Sequence, residues 1–423
     1  MIENSGNWAG NYFYRAARIH QPETVEQIQG LVRRSDKLKA LGTRHSFNDI
    51  ADSPSDLISL QHFNKIISLD REHQRVSVEA GIRYGELCQW LDGEGFALHN
   101  LASLPHISVA GACATGTHGS GDRNGNLATA ASAMEVVIAN GERIHLSREK
   151  DAGQFEGAVI ALGGLGIITK LTLDISPSFQ MQQDVYENLA LAQLEDHFED
   201  LFSSGYSVSL FTDWRNASFN QVWLKRHVPD GVSLKAEPEL LGATLATSHL
   251  HPIGTLSAEN CTEQMGICGP WYERLPHFRL NFTPSSGEEL QSEYILPRQH
   301  AISAFHTVNQ LREYIFPLLQ ISEIRTIASD NLWMSPCYGQ DCVAIHFTWK
   351  RDWEAVRQVL PMIEDRLAQF EARPHWGKLF TMEPALLQSL YKKLPEFRGL
   401  LQHYDPHGKF RNAFLDKYIF GIS

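Results

Sequence analysis

The chain has 423 residues, 43% of them hydrophobic and 20% charged, the make-up of a folded protein with length for two domains or one elaborate one. Its 49 acidic against 37 basic side chains give a formal charge of -12, which argues against extended contact with nucleic acid or an anionic membrane surface. No window approaches the roughly 20 apolar residues of a membrane span, the opening MIENSGNWAG lacks a signal-peptide pattern, and the scattered cysteines at 88, 113, 261, 268, 337 and 342 form no C-x-x-C pair.

After Pro22, residues Val25, Ile28, Leu31 and Val32 fall on one face of a helix that Thr24 can cap. A short strand over 38–41 follows and runs into Gly42-Thr43-Arg44-His45-Ser46-Phe47, a turn rich in small residues. Strands over 57–60, 66–69 and 76–78 and a helix over 84–91 continue an α+β alternation. The stretch 102–121, ASLPHISVAGACATGTHGSG, is dense in Gly, Ala, Ser and Thr and reads as a loop. Strand patterning resumes at 133–139, 143–146 and 166–175, and a first domain ends near 176. From Met181 the composition is more aromatic, with strands at 206–214 and 221–225 and a loop-rich stretch from 228 to 290. Residues 297–319 read as helical, 322–327 and 343–350 as strands, and 353–370 as a helix.

Within this chain, Gly111, Gly116, Gly119 and Gly121 are interspersed with hydroxyl and imidazole groups. Without Cβ atoms such a loop can bring backbone N–H groups against a pyrophosphate. The spacing is not G-x-G-x-x-G and no Walker lysine follows, so a tight structural turn is the alternative. His45 stands at the end of a strand, where a side chain is presented rather than packed, although a lone histidine more often has no special role. Glu323 and Arg325 lie two apart on a strand and share a face, with Ser322, Ile324 and Thr326 on the other. His346 and Thr348 repeat the arrangement, with Ile345, Phe347 and Trp349 toward the core. If the two strands are neighbours, one face displays a carboxylate, a guanidinium, an imidazole and a hydroxyl together. Burying that set is costly unless a polar ligand satisfies it, and the alternative is a solvated, ion-paired face. Lys378 follows the stiff, aromatic Arg373-Pro374-His375-Trp376-Gly377. A metal site is disfavoured, because His249-Leu250-His251 has no carboxylate or thiol partner at ligand spacing.

Together these segments resemble the vanillyl-alcohol-oxidase-type covalent flavoproteins, and within them the alditol oxidase branch, close to the sugar-lactone oxidases. The likeness runs from Asn7-Trp8-Ala9-Gly10 to Gly408-Lys409-Phe410-Arg411-Asn412-Ala413-Phe414. It rests on GTRHSF, LASLPHISVAGACATGTHGSG, SEIRT, HFTW and RPHWGK, the last with the H-W-x-K signature. The resemblance implies an α+β fold with a two-lobed FAD-binding domain at 1–176 and a substrate (cap) domain at 177–374, an antiparallel sheet with flanking helices. A C-terminal segment, 375–423, would return to the FAD domain. FAD is implied to be attached covalently through His45 and only there, since Cys113 does not stand where some relatives carry a second linkage. Implied FAD contacts are Gly42, Thr43, Arg44, His45 and Ser46, then Ser103, Ser108, Gly111, Thr115, Gly116, Thr117, His118, Gly119 and Ser120, and Ile168. Ser103, Glu323, Arg325, Thr348 and Lys378 are implied as substrate contacts, with His346 close by.

Taking a hydride from an alcohol carbon requires a base and an electron sink together. Lys378 is assigned to stabilising the reduced flavin, and Arg325 and Lys378 to polarising the hydroxyl. His346 is assigned to its proton, because an imidazole titrates nearest neutrality. Glu323 would accept hydrogen bonds from hydroxyls further along a polyol, with Ser103 and Thr348 fixing the chain. The expected reaction oxidises the terminal hydroxyl of alditols such as xylitol and sorbitol to the aldose and reduces O2 to H2O2. A sugar-1,4-lactone oxidase or dehydrogenase of the same family is the alternative. The small Ala102 leaves oxygen a path to the flavin and favours the oxidase. A cytoplasmic monomer with reduced thiols, acting on a small polyol and O2 without metal, nucleic acid or membrane, completes the expectation.

Overall fold

The computed structural model describes residues 6–229, 232, 234–281 and 289–422. Residues 1–5 of the opening segment, and 230, 231, 233 and 282–288 of the loop-rich stretch, lie outside the described residues.

Two sheets organise the N-terminal part. Strands Arg18–His20 and Leu38–Leu41 pair in parallel on either side of Asp56–Ser59. The helix Val25–Arg34 connects the two outer strands. It starts where Thr24 Oγ1 accepts from the Gln27 N–H at 3.3 Å, and it buries Ile28, Leu31 and Val32. The second sheet is antiparallel, with Ile167–Asp174 central between Arg75–Glu79 and Ala131–Val137, and Ile66–Asp70 and Arg143–Ser147 at its edges. Between them the glycine-rich stretch is not loop throughout. Val109–Ala114 is a helix, since one glycine among Val, Ala and Cys weakens a helical turn without breaking it. Trp376, Leu387, Phe397, Leu401, Phe414 and Ile419 join the same hydrophobic cluster as Leu38, Ile58, Val76, Val136 and Leu171. The chain after 375 therefore packs into the core of the first 175 residues.

A ten-stranded sheet organises the remainder. Its middle strands lie in the order Ser218–Val228, Ser207–Thr212, Leu319–Ile327, Cys342–Lys350 and Glu289–Pro297, each antiparallel to the next. Side chains alternate between its faces with period two. Leu210, Val222, Tyr294, Ile324, Ile345, Phe347 and Trp349 pack in one core with residues of the helices Leu191–Ser203, Ala301–Gln310 and Trp353–Leu367. The other face looks onto a cavity whose far wall is the N-terminal part.

The helical stretch expected over 297–319 is broken into pieces and shorter at both ends. Pro297 ends a strand, Arg298–His300 is a 3-10 turn, Ala301–Gln310 and Arg312–Ile315 are separate helices, and Leu319 already begins the next strand. The strands Gln180–Ala190 and Glu289–Pro297 and the helix Leu191–Ser203 were not anticipated. Among the described residues no helix is long and apolar enough to cross a membrane.

Candidate active site

A connected cavity of about 2010 Å³ runs between the two parts, well beyond the ~300–1,000 Å³ of a site for one drug-sized ligand. One end is walled by Lys39 to Phe47, Ser108, Gly111, Thr115, Thr117, Gly163 and Ile168, and the other by the polar face of the large sheet. Glycines allow tight packing at the first end. A Cβ on Gly42 or Gly111 would stand 2.8 or 2.9 Å from Ser108 Oγ, and one on Gly81 would meet the Leu60 carbonyl at 1.9 Å. The wall also carries the hydroxyls of Thr43, Ser108, Thr115 and Thr117, donors a pyrophosphate can use. Three of the implied flavin contacts lie off it, because Gly116, Gly119 and Ser120 do not line the cavity. Gly119 instead lets the backbone pass Leu101 and Asn100, and the Ser120 hydroxyl donates to the Val208 carbonyl.

His45 lines this cavity on a turn in which Arg44 takes φ of 63°, a left-handed conformation uncommon for a side-chain-bearing residue. Trp8 stacks on the imidazole with ring centroids 5.5 Å apart. Nδ1 lies 3.0 Å from Thr43 Oγ1, and Nε2 is buried with no hydrogen-bond partner among the described residues. Burial lowers the pKa of His45 to about 4, so the ring is neutral near pH 7. The turn is tied to the segment carrying Lys378. The Phe47 N–H donates to the Gly377 carbonyl at 2.8 Å, and Asn48 Nδ2 donates to the carbonyls of Trp376 and Lys378 at 2.9 and 2.8 Å.

At the other end, the strands bearing Glu323 and His346 pair with those residues opposite each other, and Glu293 stands opposite His346 on the next strand. Three neighbouring strands therefore aim Glu293, His346 and Glu323 at one cavity, with Arg325 and Thr348 two positions along. Lys378 reaches them because 375–379 continues along the 289–297 strand, where the His375 N–H donates to the Glu293 carbonyl and the Leu379 N–H to Gln291. Lys378 Nζ donates to Glu293 Oε2 and to His346 Nδ1, both at 2.7 Å. Arg325 Nη2 donates to Glu293 Oε1 at 2.5 Å, and Nη1 lies 3.5 Å from Ser103 Oγ. His346 Nε2 lies 3.0 Å from Thr348 Oγ1. Ser103, Glu323, Arg325, His346, Thr348 and Lys378 are thus brought together.

Glu293, which the sequence did not single out, is the hub of this cluster. Burial opposes its ionisation, but Lys378 and Arg325 outweigh burial and hold the carboxyl well below the usual range. Glu323 behaves alike, with burial opposed by Arg325 and by His277, whose Nε2 lies 2.7 Å from Glu323 Oε1. Both are carboxylates at neutral pH. The ground on which His346 was chosen as base fails. Burial, then the Lys378 ammonium, pushes its pKa well below 6.5, and Nδ1 already accepts from Lys378.

Burial also lowers His277 to about 4 and His375 to about 3, so both are neutral in the folded chain. Unfolded, each binds a proton near pH 6.5, so below that pH the unfolded chain holds more protons. Their contribution to stability is complete above pH 6.5 and is lost as pH falls toward 4, by about 1.4 kcal/mol per pH unit for each group. The melting temperature is expected to drop steadily between pH 7 and pH 4. A flat profile over that interval would contradict the burial of neutral histidines.

Residues 16–147 match the FAD binding domain family, and residues 286–418 match the D-arabinono-1,4-lactone oxidase family. The chain is 47% identical over 418 residues to the alditol oxidase of a Streptomyces species, covering 98% of this chain and 99% of that one. It is 25% identical to the L-gulonolactone oxidase of Scyliorhinus torazame and 26% identical to the L-gulono-1,4-lactone dehydrogenase of Mycobacterium tuberculosis, each across 98% of both chains. Cholesterol oxidase from B. sterolicum shares the fold, with a TM-score of 0.78 over 98% of this chain and 96% of that one at 15% identity.

Proposed function

The chain belongs to the alditol oxidase family of FAD-dependent enzymes, and from that premise we propose that it oxidises the terminal hydroxyl of xylitol, sorbitol and similar polyols to the aldose, with oxygen reduced to hydrogen peroxide. The substrate assignment is carried by one observation, the ionised Glu323 carboxylate facing the cavity beside Arg325. A carboxylate only accepts hydrogen bonds, so it rewards a substrate with hydroxyls at fixed distances from the reacting end. An open-chain alditol offers one at every carbon, whereas an aldonolactone replaces two with a ring oxygen and a carbonyl.

FAD, when bound, would supply the hydride acceptor and the route of the electrons to oxygen. His45 holds it covalently in this proposal, supported by the buried, unpartnered Nε2 and by the Trp8 stack that fixes the ring. Gly42, Thr43, Ser108, Gly111, Thr115 and Thr117, which line the cavity, would hold its phosphates. Arg325 and Lys378 direct N–H donors at the reacting oxygen and stabilise negative charge developing there and nearby. His346 takes the hydroxyl proton at Nδ1, which becomes available once Lys378 turns its ammonium from that nitrogen to the substrate oxygen. Ser103 and Thr348 position the rest of the chain. The six cysteines are free thiols, which suits the reducing conditions of the cytoplasm, where we place the enzyme.

Peroxide assays on xylitol, sorbitol, glycerol and ethanol test the substrate class. A short alcohol leaves Glu323 Oε2 without the substrate donor a polyol provides, at a cost of about 1–3 kcal/mol, so xylitol and sorbitol should exceed glycerol by at least ~10-fold in kcat/KM, with ethanol almost inert. Glu323→Gln should compress the series. An order that ignores hydroxyl count would remove Glu323 from substrate recognition. The covalent link is tested by acid precipitation, in which the yellow colour should stay with the pellet of the unmodified protein and pass to the supernatant for His45→Ala.

A further inference from the structure

Behind the Glu323 carboxylate stand two residues that no motif singles out. His277 Nε2 lies 2.7 Å from Glu323 Oε1, and on the opposite side of the ring Lys225 Nζ lies 3.2 Å from Nδ1. Both side chains are buried. Lys225 has three N–H donors and three acceptors in reach, the carbonyls of Leu275 at 2.6 Å and Pro276 at 3.1 Å and His277 Nδ1. A carboxylate can only accept, so the ring proton must sit on Nε2, aimed at Glu323, and Nδ1 is left to accept from a Lys225 N–H. The ring is also fixed in space. Phe211 and Trp223 pack edge-on to it at 5.5 and 5.1 Å, and the His277 N–H donates to the carbonyl of Ser103, itself a cavity residue, at 3.1 Å. Arg325 Nε, the other donor near Glu323, stands 3.6 Å from the same oxygen, Oε1.

We propose that His277 is a specificity-determining positioning residue: clamped by Lys225 in its Nε2–H tautomer, it holds Glu323 by Oε1 and turns Oε2 to the hydroxyls beyond the reacting carbon. The inference rests on the alditol assignment above. A carboxylate free to rotate would pair with donors at many heights and discriminate poorly. One pinned by a rigid donor fixes the hydroxyl spacing it accepts. His277 acts on the site through Glu323 Oε1, so in this proposal its effect is on the fit of the polyol tail.

Three variants and a spectrum test it. His277→Phe keeps a planar ring between Phe211 and Trp223 but removes the donor, His277→Gln restores an N–H, and Lys225→Met removes the clamp. For His277→Phe, KM for xylitol should rise at least ~10-fold with kcat changed far less, and the preference for xylitol over glycerol should fall toward that of Glu323→Gln. His277→Gln should recover part of the preference, and adding Glu323→Gln to His277→Phe should change it little further, since the two act through one contact. An unchanged preference, a loss in kcat alone, or additive effects would overturn the proposal. Histidine ring-nitrogen resonances should report an Nε2–H tautomer for His277 in the wild type and a mixture in Lys225→Met, with bound flavin and melting temperature recorded for each variant. An Nδ1–H tautomer in the wild type overturns the clamp whatever the turnover. A wild-type protein that oxidises no alditol defeats the parent assignment and the substrate half of this one, while the tautomer still decides the clamp.

Discussion

Replacing Lys378 with Met lowers the rate at which an alditol reduces the flavin, measured without oxygen, by at least ~100-fold, while the flavin stays bound. Methionine keeps an unbranched stem of similar length, so the cavity wall is retained and the charge is removed. That charge is half-buried, held beside the site by Glu293, within reach of His346, and lines the cavity. A preorganised donor in a water-excluded site typically supplies 10²–10³ in rate, because no solvent must reorganise when charge develops. The substitution also leaves His346 without the ammonium that would hand over its place to the substrate oxygen. Substrate KM should shift much less than the reduction rate, since the interaction strengthens in the transition state. Near-normal reduction in the variant would take Lys378 out of the chemistry.

Glu293→Gln produces the second large effect, and it is seen in stability as much as in rate. The carboxylate is the common partner of Arg325 and Lys378 and is 1% exposed. Neutralising it leaves the buried Arg325 and the half-buried Lys378 without the charge that offsets their desolvation. Breaking a buried pair in this way costs about 3–5 kcal/mol. Thermal unfolding should move to clearly lower temperature, and turnover should fall with it because the two cations lose their common anchor. A double-mutant comparison separates the causes. In the Lys378→Met background one cation is already gone, so Glu293→Gln should destabilise less than it does in the wild type. Equal losses in both backgrounds would mean that Glu293 does not act by balancing these cations.

The alternation Glu323-Ile324-Arg325 and His346-Phe347-Thr348 was readable because a strand repeats every two residues, and polar groups on one side with apolar groups on the other mark a sheet between a core and something polar. Their adjacency could be posed only as a condition, since register depends on a partner strand elsewhere in the chain. Glu293 escaped notice because Glu289, Gln291 and Glu293 all face the cavity, so the strand Glu289–Pro297 presents too many polar residues to look buried. Lys225 lay inside an expected strand, yet a lysine there reads as solvent-facing, whereas its ammonium is satisfied by two carbonyls and an imidazole. His277 sits in an irregular segment with no periodicity to betray it. The choice of His346 as base used its free-solution pKa, which burial and a neighbouring ammonium displace. Gly119 and Ser120 pack against protein rather than the cavity, for a glycine-rich run marks close approach of backbone without saying whether a ligand or another strand approaches.

Anaerobic mixing of the purified protein with xylitol tests the central claim most directly, because it observes flavin and substrate together without a coupled assay. The yellow absorbance should bleach at a rate that saturates with xylitol, and admitting air should restore it with hydrogen peroxide formed in an amount equal to the xylitol consumed. Absorbance that persists in the presence of alditols, or that bleaches faster with L-gulono-1,4-lactone than with xylitol, would contradict the assignment of this site to alditol oxidation.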